Sequence, residues 1–291
     1  MRRIRTVAVL PTMFTLANLV CGFFAIVVAS RIAAPSSPVE IPRAAEIHFR
    51  DSPFAFVTQL VRTDDVHNAM LAGWLIFLAM IFDALDGHVA RLAKVSSDFG
   101  AQLDSLCDLV TFGVAPAILL VKMCPVFTYA QREAIWVIAA SFAACVALRL
   151  ARFNVESGEE DDHMRFNGLP SPAGAAAIAS FAILFYTLRR ESSAPISLEI
   201  DRWLQLLLPF YAVIVAALMV SRIPYPHIVN QAFRGQKSFG HVVGLVFAIA
   251  AVMLFRGFSV PVLCAVFTLV PPIRFGYSLL KERKMRKESL F

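Results

Sequence analysis

Four aspartates form two closely spaced pairs within otherwise apolar sequence. Asp83 and Asp86 are spaced i,i+3, and Asp104 and Asp108 are spaced i,i+4, so the members of each pair lie on one face of a helix. If these helices cross a membrane, each buried carboxylate costs about 2.5–3.5 kcal/mol and requires compensation. Hard oxygen ligands gathered where little positive charge is available indicate a divalent-cation site, and a set made only of carboxylates favours Mg²⁺ or Mn²⁺ over zinc.

Arg91 is the closest cation to the first pair along the chain. Its guanidinium can reach a phosphate group that is held by cations at the aspartates. A simpler interpretation is also open, in which the acids face water at a turn between two helices and Arg91 extends to the membrane interface. Because the two pairs are in register on consecutive helices, the metal interpretation is favoured for the aspartates.

The composition of the chain is that of an integral membrane protein. Of its 291 residues, 58% are hydrophobic and 16% are charged, whereas an ordinary soluble domain has about 25% charged residues. A single soluble core of this size cannot bury so much apolar surface. The 5 cysteines are too sparse for a disulfide scaffold, and their scatter without a C-x-x-C pair favours reduced core residues over metal ligands. The net charge of +6 is assigned to cytoplasmic loops and anionic lipid, and not to nucleic acid.

Eight apolar stretches are long enough, or nearly so, to cross ~30 Å of hydrocarbon. The first stretch is too long for a secretory signal and carries Thr15 and Asn18, so we expect it to be retained. The sequence therefore predicts an all-α membrane protein of about eight transmembrane helices, with a single domain over 1–291. The predicted spans run approximately over 8–30, 68–93, 100–122, 133–153, 171–188, 203–220, 239–255 and 258–280.

The distribution of Lys and Arg predicts that both termini lie in the cytoplasm, because the segments on that side then hold more of these cations than the opposite side. Both aspartate pairs are then at the cytoplasmic membrane face. The long connection over about 31–67 is expected to lie along the membrane interface. The basic tail at 281–291 is expected to contact the membrane surface and not nucleic acid.

The run D-x2-D-G-x2-A-R-x8-G-x3-D-x3-D over 83–108 resembles the signature of the CDP-alcohol phosphotransferases, with all eight fixed positions present. The segments TMFTLANLVCGF, TFGVAPA, RLARFNV, GLPSPAGAAA and RIPYP resemble the membrane-spanning phosphatidylserine synthase branch of that family. The resemblance implies a six-helix core, here with two further C-terminal helices. It also implies a homodimer in a bacterial inner membrane, with an active site open to the cytoplasmic leaflet.

The resemblance further implies an enzyme that transfers the phosphatidyl group of CDP-diacylglycerol to the hydroxyl of L-serine, giving phosphatidylserine and CMP. Asp108 would accept the proton of the serine hydroxyl. Two divalent cations, Mg²⁺ or Mn²⁺, would be bound by Asp83, Asp86, Asp104 and Asp108. The CDP-diacylglycerol site would be lined by Thr15, Asn18, Gly87, Arg91 and Ser97.

Serine brings a carboxylate that requires a cationic partner. Arg149 and Arg152, at the end of the fourth predicted span, are candidates for this carboxylate or for a lipid phosphate, and Asn154 can add a donor and an acceptor. The same two arginines also fit a purely topological role at the cytoplasmic face. Both interpretations stay open at this stage.

Two other functions are also open. The same chemistry can act on another alcohol, such as glycerol phosphate, inositol phosphate or choline, although a phosphorylated acceptor requires more Lys and Arg around the pocket. A divalent-cation transporter is less favoured, because the acids cluster at one membrane face, whereas transport sites lie near the bilayer midplane.

Overall fold

The computed structural model describes eight parts of the chain. It covers residues 9–32, 65–93, 98–125, 127, 132–156, 168–191, 195–225 and 256–288. Two π-helical turns, Leu109–Val114 and Thr187–Glu191, continue the helices that precede them. The α-helices are α1 (Val9–Ser30), α2 (Asp65–Ala93), α3 (Asp98–Asp108), α4 (Ala115–Met123), α5 (Arg132–Glu156), α6 (Ser171–Tyr186), α7 (Pro195–Val220) and α8 (Arg256–Glu288).

Seven helical segments in the described part of the chain are long and apolar enough to cross a membrane. They correspond to seven of the eight predicted stretches, and the chain is therefore an all-α, multi-pass membrane protein. The remaining predicted stretch, 239–255, lies outside the described residues, as does most of the 31–67 connection. The observed spans are Thr12–Ser30, Asp65–Val89, Phe99–Met123, Glu133–Val155, Ser171–Arg189, Glu199–Val220 and Gly257–Ser278.

Two helices differ in length from the prediction. Helix α7 begins at Pro195 and not near 203, and α8 continues to Glu288 and not only to about 280. The early start of α7 has a physical cause, because Asp201 is buried and forms an ion pair with Arg189 at 2.9 Å. A charge that is neutralised in this way can lie inside a helix that hydropathy alone would begin later.

Helix α6 is the central element of the bundle. Helices α2 and α8 pack against it, while α1 packs along α2 and α5 along α7. Its small side chains allow this close approach. A Cβ atom added to Gly73 of α2 would lie only 2.9 Å from the carbonyl oxygen of Ala179 on α6, so the two backbones nearly touch.

The three residues described just before α6, 168–170, are held by hydrogen bonds to the end of α7 and to the residues that follow it. The Gly168 N–H donates to the Ile223 carbonyl at 2.8 Å, and the Leu169 N–H donates to the Leu218 carbonyl at 3.0 Å. Gly168 has φ of 96°, a left-handed conformation that glycine adopts without strain. A Cβ there would also lie 2.6 Å from the Met219 carbonyl oxygen. This connection therefore both satisfies a carbonyl at the end of α7 and fixes where α6 begins.

Candidate metal and substrate site

Three of the four predicted aspartates converge between α2 and α3. One carboxylate oxygen from each of Asp83, Asp104 and Asp108 lies within 4.8 Å of the other two. Asp108 is buried, and the other two are half-buried. Asp83 comes from α2, while Asp104 and Asp108 lie one turn apart at the end of α3, so the i,i+4 pair shares one helix face as the spacing predicts.

Asp86 is hydrogen-bonded to helix α1. It is buried and accepts a hydrogen bond from the hydroxyl of Thr15, which is also buried. Asp86 is not a member of the three-aspartate cluster defined above, although it shares a helix face with Asp83. Helix α1 therefore orients the carboxylate that borders the cluster.

Asn18 holds the last aspartate in the same manner. Its Nδ2 atom donates to Oδ1 of Asp108 at 2.8 Å, and the Thr111 hydroxyl donates to the Asn18 carbonyl at 3.2 Å. Gly22 permits this approach, because a Cβ there would lie 2.8 Å from Cα of Thr111. Thr111 belongs to the π-helical turn Leu109–Val114 that follows Asp108, and such turns are frequent at functional sites.

The aspartate cluster of Asp83, Asp104 and Asp108 has no ion-pair partner among the described side chains. The Oδ1 atom of Asp104 is buried and has no hydrogen-bond partner among the described residues. Burying unpaired carboxylates is costly, and carboxylate oxygens are the ligands that Mg²⁺ and related ions prefer. The donor set therefore fits a divalent cation.

Arg149 of α5 is half-buried and close enough to Asp108 for the two opposite charges to interact. Its Nη1 atom donates to the Ser171 hydroxyl at 3.0 Å. Its Nε atom is buried without a hydrogen-bond partner among the described residues. A guanidinium with an unused buried donor, next to a cluster of acids, is suited to bind an anionic group of a substrate.

The other residues predicted for the site have different outcomes. Asn154 donates from Nδ2 to the Ser105 hydroxyl at 3.0 Å and so joins α5 to α3. Arg152 is half-buried on α5, and Gly87 is half-buried on α2 beside Asp86. The predictions for Arg91 and Ser97 are not tested. Arg91 is described only as backbone in the last turn of α2, and Ser97 lies outside the described residues.

Sequence reasoning missed three small polar residues that support the site. Ser105, Thr111 and Ser171 each hydrogen-bond to a predicted site residue on another helix. The available signal was weak: Ser and Thr within apolar helices often bond across helix interfaces, but they also bond to their own helix.

Comparison with known proteins identifies the family. Residues 8–218 match the family model described as CDP-alcohol phosphatidyltransferase. This chain belongs to that family.

Relatives of known name are similar over part of their length. A CDP-diacylglycerol–serine O-phosphatidyltransferase of Methanocaldococcus jannaschii is 38% identical over 159 residues, which cover 55% of this chain and 65% of the relative. One of the same name from Helicobacter pylori is 34% identical over 161 residues, covering 54% of this chain and 61% of the relative. An archaetidylserine synthase of Methanothermobacter thermautotrophicus is 37% identical over 157 residues, which cover 53% of this chain and 57% of the relative. Each match therefore spans less than two thirds of the relative.

Proposed function

We propose that this family member transfers the phosphatidyl group of CDP-diacylglycerol to L-serine, giving phosphatidylserine and CMP. The observation that carries the proposal is the convergence of one carboxylate oxygen from each of Asp83, Asp104 and Asp108 within 4.8 Å. The names of the Methanocaldococcus and Helicobacter relatives support the serine acceptor. The name of the Methanothermobacter relative also includes serine in its product, although its lipid is archaetidyl.

The aspartates are proposed to hold two divalent cations, Mg²⁺ or Mn²⁺, with Asp86 joining the three clustered residues. When bound, such cations neutralise the diphosphate of a nucleotide substrate and stabilise the departing CMP. Thr15 and Asn18 contribute by orientation, because each donates a hydrogen bond to one aspartate. The Oδ1 atom of Asp104 supports this assignment, because it is buried, has no hydrogen-bond partner among the described residues and could therefore be a metal ligand.

Asp108 is proposed to be the general base. It takes the proton of the serine hydroxyl as that oxygen attacks the phosphatidyl phosphorus, and the bond from phosphorus to the CMP oxygen breaks. A base must be held within hydrogen-bond reach of the proton that it removes. Asn18 fixes Oδ1 of Asp108, which leaves Oδ2 to face the acceptor.

Arg149 is proposed to bind the serine carboxylate. Only two carbon atoms separate the carboxylate of serine from its hydroxyl oxygen, so one molecule can reach Arg149 and Asp108 at once if the two side chains are neighbours. Their electrostatic interaction supports this proximity. A lipid phosphate is the alternative anion for Arg149, with Arg152 and Asn154 close along the same helix.

The nucleotide end of the donor is proposed to lie along the signature, where Gly87 allows close approach and Arg91 and Ser97 offer donors. Thr15 and Asn18 would then lie over the nucleotide while they hold the aspartates. We further propose a homodimer in a bacterial inner membrane, with both termini and the site on the cytoplasmic side.

The test is release of CMP from CDP-diacylglycerol by the detergent-purified protein, with Mg²⁺ or Mn²⁺ present or chelated. Parallel reactions contain L-serine, glycerol 3-phosphate, inositol phosphate, choline or no acceptor. We expect release that requires both metal and L-serine. Release with a different acceptor would replace serine in the proposal. Failure with every acceptor, in folded protein that still binds the metal, would contradict transfer and favour cation transport.

A further inference from the structure

Ser171, the first residue of α6, forms a hydrogen bond with Arg149. Ser171 is fully buried, and its hydroxyl oxygen accepts a hydrogen bond from Nη1 of Arg149 at 3.0 Å. On the other edge of the guanidinium, Nε is buried without a partner among the described residues. One edge of the guanidinium is thus held by Ser171, and the edge that carries Nε has a donor without a hydrogen-bond partner among the described residues.

The position of the Ser171 hydroxyl is itself well determined. Pro170 precedes α6 with φ of −57° and ψ of 140°, and a second proline follows within the first turn, so the chain has little conformational freedom there. Just upstream, Gly168 and Leu169 are fixed to the end of α7 by their backbone hydrogen bonds. Three elements, α5, α6 and α7, therefore determine where Arg149 is held.

Arg149 has a competing partner in Asp108. The two opposite charges already act on each other, and an arginine side chain forms a bidentate ion pair with a carboxylate when it can rotate to reach it. Such a pair would occupy both the proposed base and the proposed carboxylate site. The Ser171 hydroxyl is a neutral acceptor for Nη1, so it can keep Arg149 from pairing with Asp108 without adding a further charge.

We propose that Ser171 is a positioning residue for acceptor specificity: it holds Arg149 so that the Nε edge binds the carboxylate of the amino-acid acceptor. This inference rests on the proposed function, and it adds the residue that distinguishes an acceptor with a carboxylate from one without. A bidentate contact with a planar carboxylate needs the guanidinium in one orientation. Loss of the Ser171 hydroxyl should therefore weaken binding of the acceptor carboxylate more than it disturbs the aspartate cluster.

The experiment compares Ser171→Ala with the wild type in CMP release, using L-serine and L-serinamide as acceptors. L-serinamide keeps the hydroxyl and the ammonium but lacks the carboxylate. We expect the KM for L-serine to rise about tenfold or more in the variant, since a hydrogen bond to a charged group is lost. The KM for CDP-diacylglycerol should stay the same, and the preference for L-serine over L-serinamide should fall by a similar factor.

Three further variants separate positioning from damage to the fold. Ser180→Ala is the matched control, because Ser180 is also fully buried on α6 but donates to the Ala177 carbonyl of its own helix at 2.9 Å. It should leave acceptor preference unchanged. Ser171→Thr keeps the hydroxyl and should restore the preference. Ser171→Cys keeps the shape with a weak acceptor and should behave as Ser171→Ala does, even if the alanine variant does not fold.

The outcomes distinguish the inference from the function on which it rests. If the wild type releases no CMP with L-serine, the proposed function is wrong. If the wild type is active but the alanine and cysteine variants keep the KM and the acceptor preference, Ser171 has no positioning role. If the KM for CDP-diacylglycerol rises instead, Arg149 binds a lipid phosphate and the inference is also overturned.

Discussion

The Nδ2 atom of Asn18 lies 2.8 Å from Oδ1 of Asp108, which ties the first helix to the last aspartate of the signature. Asn18 is fully buried, and its backbone carbonyl accepts a hydrogen bond from Thr111, one turn beyond Asp108. Asn18 therefore donates one hydrogen bond to the segment 108–111 and accepts another from it. The carboxylate can neither rotate nor shift along the helix without breaking one of them.

Replacing Asn18 by leucine should lower kcat while the protein stays folded. The variant keeps a similar volume but loses the donor to Asp108, and a hydrogen bond to a charged group contributes about 1.5–3 kcal/mol. We expect a loss of kcat of about tenfold to a hundredfold in the CMP-release assay. Asn18→Asp should be worse, because it brings a carboxylate against a carboxylate. A leucine variant with normal kcat would show that Asn18 does not orient the base.

Replacing Asp108 by asparagine should nearly abolish turnover but largely spare nucleotide binding. A positioned general base contributes about 10²–10⁴-fold to a rate, and the amide cannot accept the proton. The measurements are CMP release and binding of a CDP-containing ligand to the same preparation. Glu199→Gln is a matched control, since Glu199 is 64% exposed on α7. A near-normal rate in Asp108→Asn would remove Asp108 from the role of base.

The aspartate pairs and the helices were accessible from sequence because each leaves a local signal. Carboxylates are rare within membrane helices, so Asp83 and Asp104 stand out, and helical spacing alone predicts that each pair shares a face. Apolar length predicts the spans to within a few residues for most helices. It fails at the start of α7, where Asp201 is neutralised by Arg189, a partner that lies on the preceding helical segment.

The contacts between helices could not be predicted in this way. That Asn18 bonds to Asp108 depends on how α1 is rotated about its axis, and one apolar helix gives little sign of its rotation in a bundle. Ser171 and Ser180 are both serines in the same apolar helix, yet only Ser171 bonds to Arg149. The difference comes from the connection that Gly168 fixes to α7, which is a tertiary feature.

Adding Mn²⁺ or Mg²⁺ should raise the melting temperature of the wild type in detergent. A ligand that binds only the folded state stabilises it by about 2.7 kcal/mol at a hundred times its Kd. Asp104→Asn removes one charge of the cluster and should lose most of this increase, while its melting temperature without metal should stay the same or rise. Equal metal-dependent shifts in wild type and Asp104→Asn would argue against a cation at the aspartates.

The buried ion pair at the other end of α6 should matter for stability and not for catalysis. Arg189 Nε donates to Asp201 at 2.9 Å, with side-chain exposures of 28% and 12%, and Gln205 donates to the second Asp201 oxygen at 2.7 Å. Arg189→Met leaves Asp201 buried without its cation, which should cost up to about 3 kcal/mol. Thermal unfolding should show the loss, while kcat per folded molecule at low temperature stays unchanged. A selective loss of kcat would place the pair in the catalytic unit.

Adding a single methyl group at Gly22 should disturb the site through the helix that supports it. In Gly22→Ala the new Cβ would lie 2.8 Å from Cα of Thr111, a backbone atom that cannot move aside alone, and overpacking of this kind costs about 1–3 kcal/mol. Helix α1 must shift away from the π-helical turn, which lengthens the bond from Asn18 to Asp108. We therefore expect both a lower melting temperature and a lower kcat. Gly276→Ala is the matched control, because a Cβ there meets no atom within 4 Å; if both variants keep wild-type stability and kcat, the close approach of α1 does not hold the base in place.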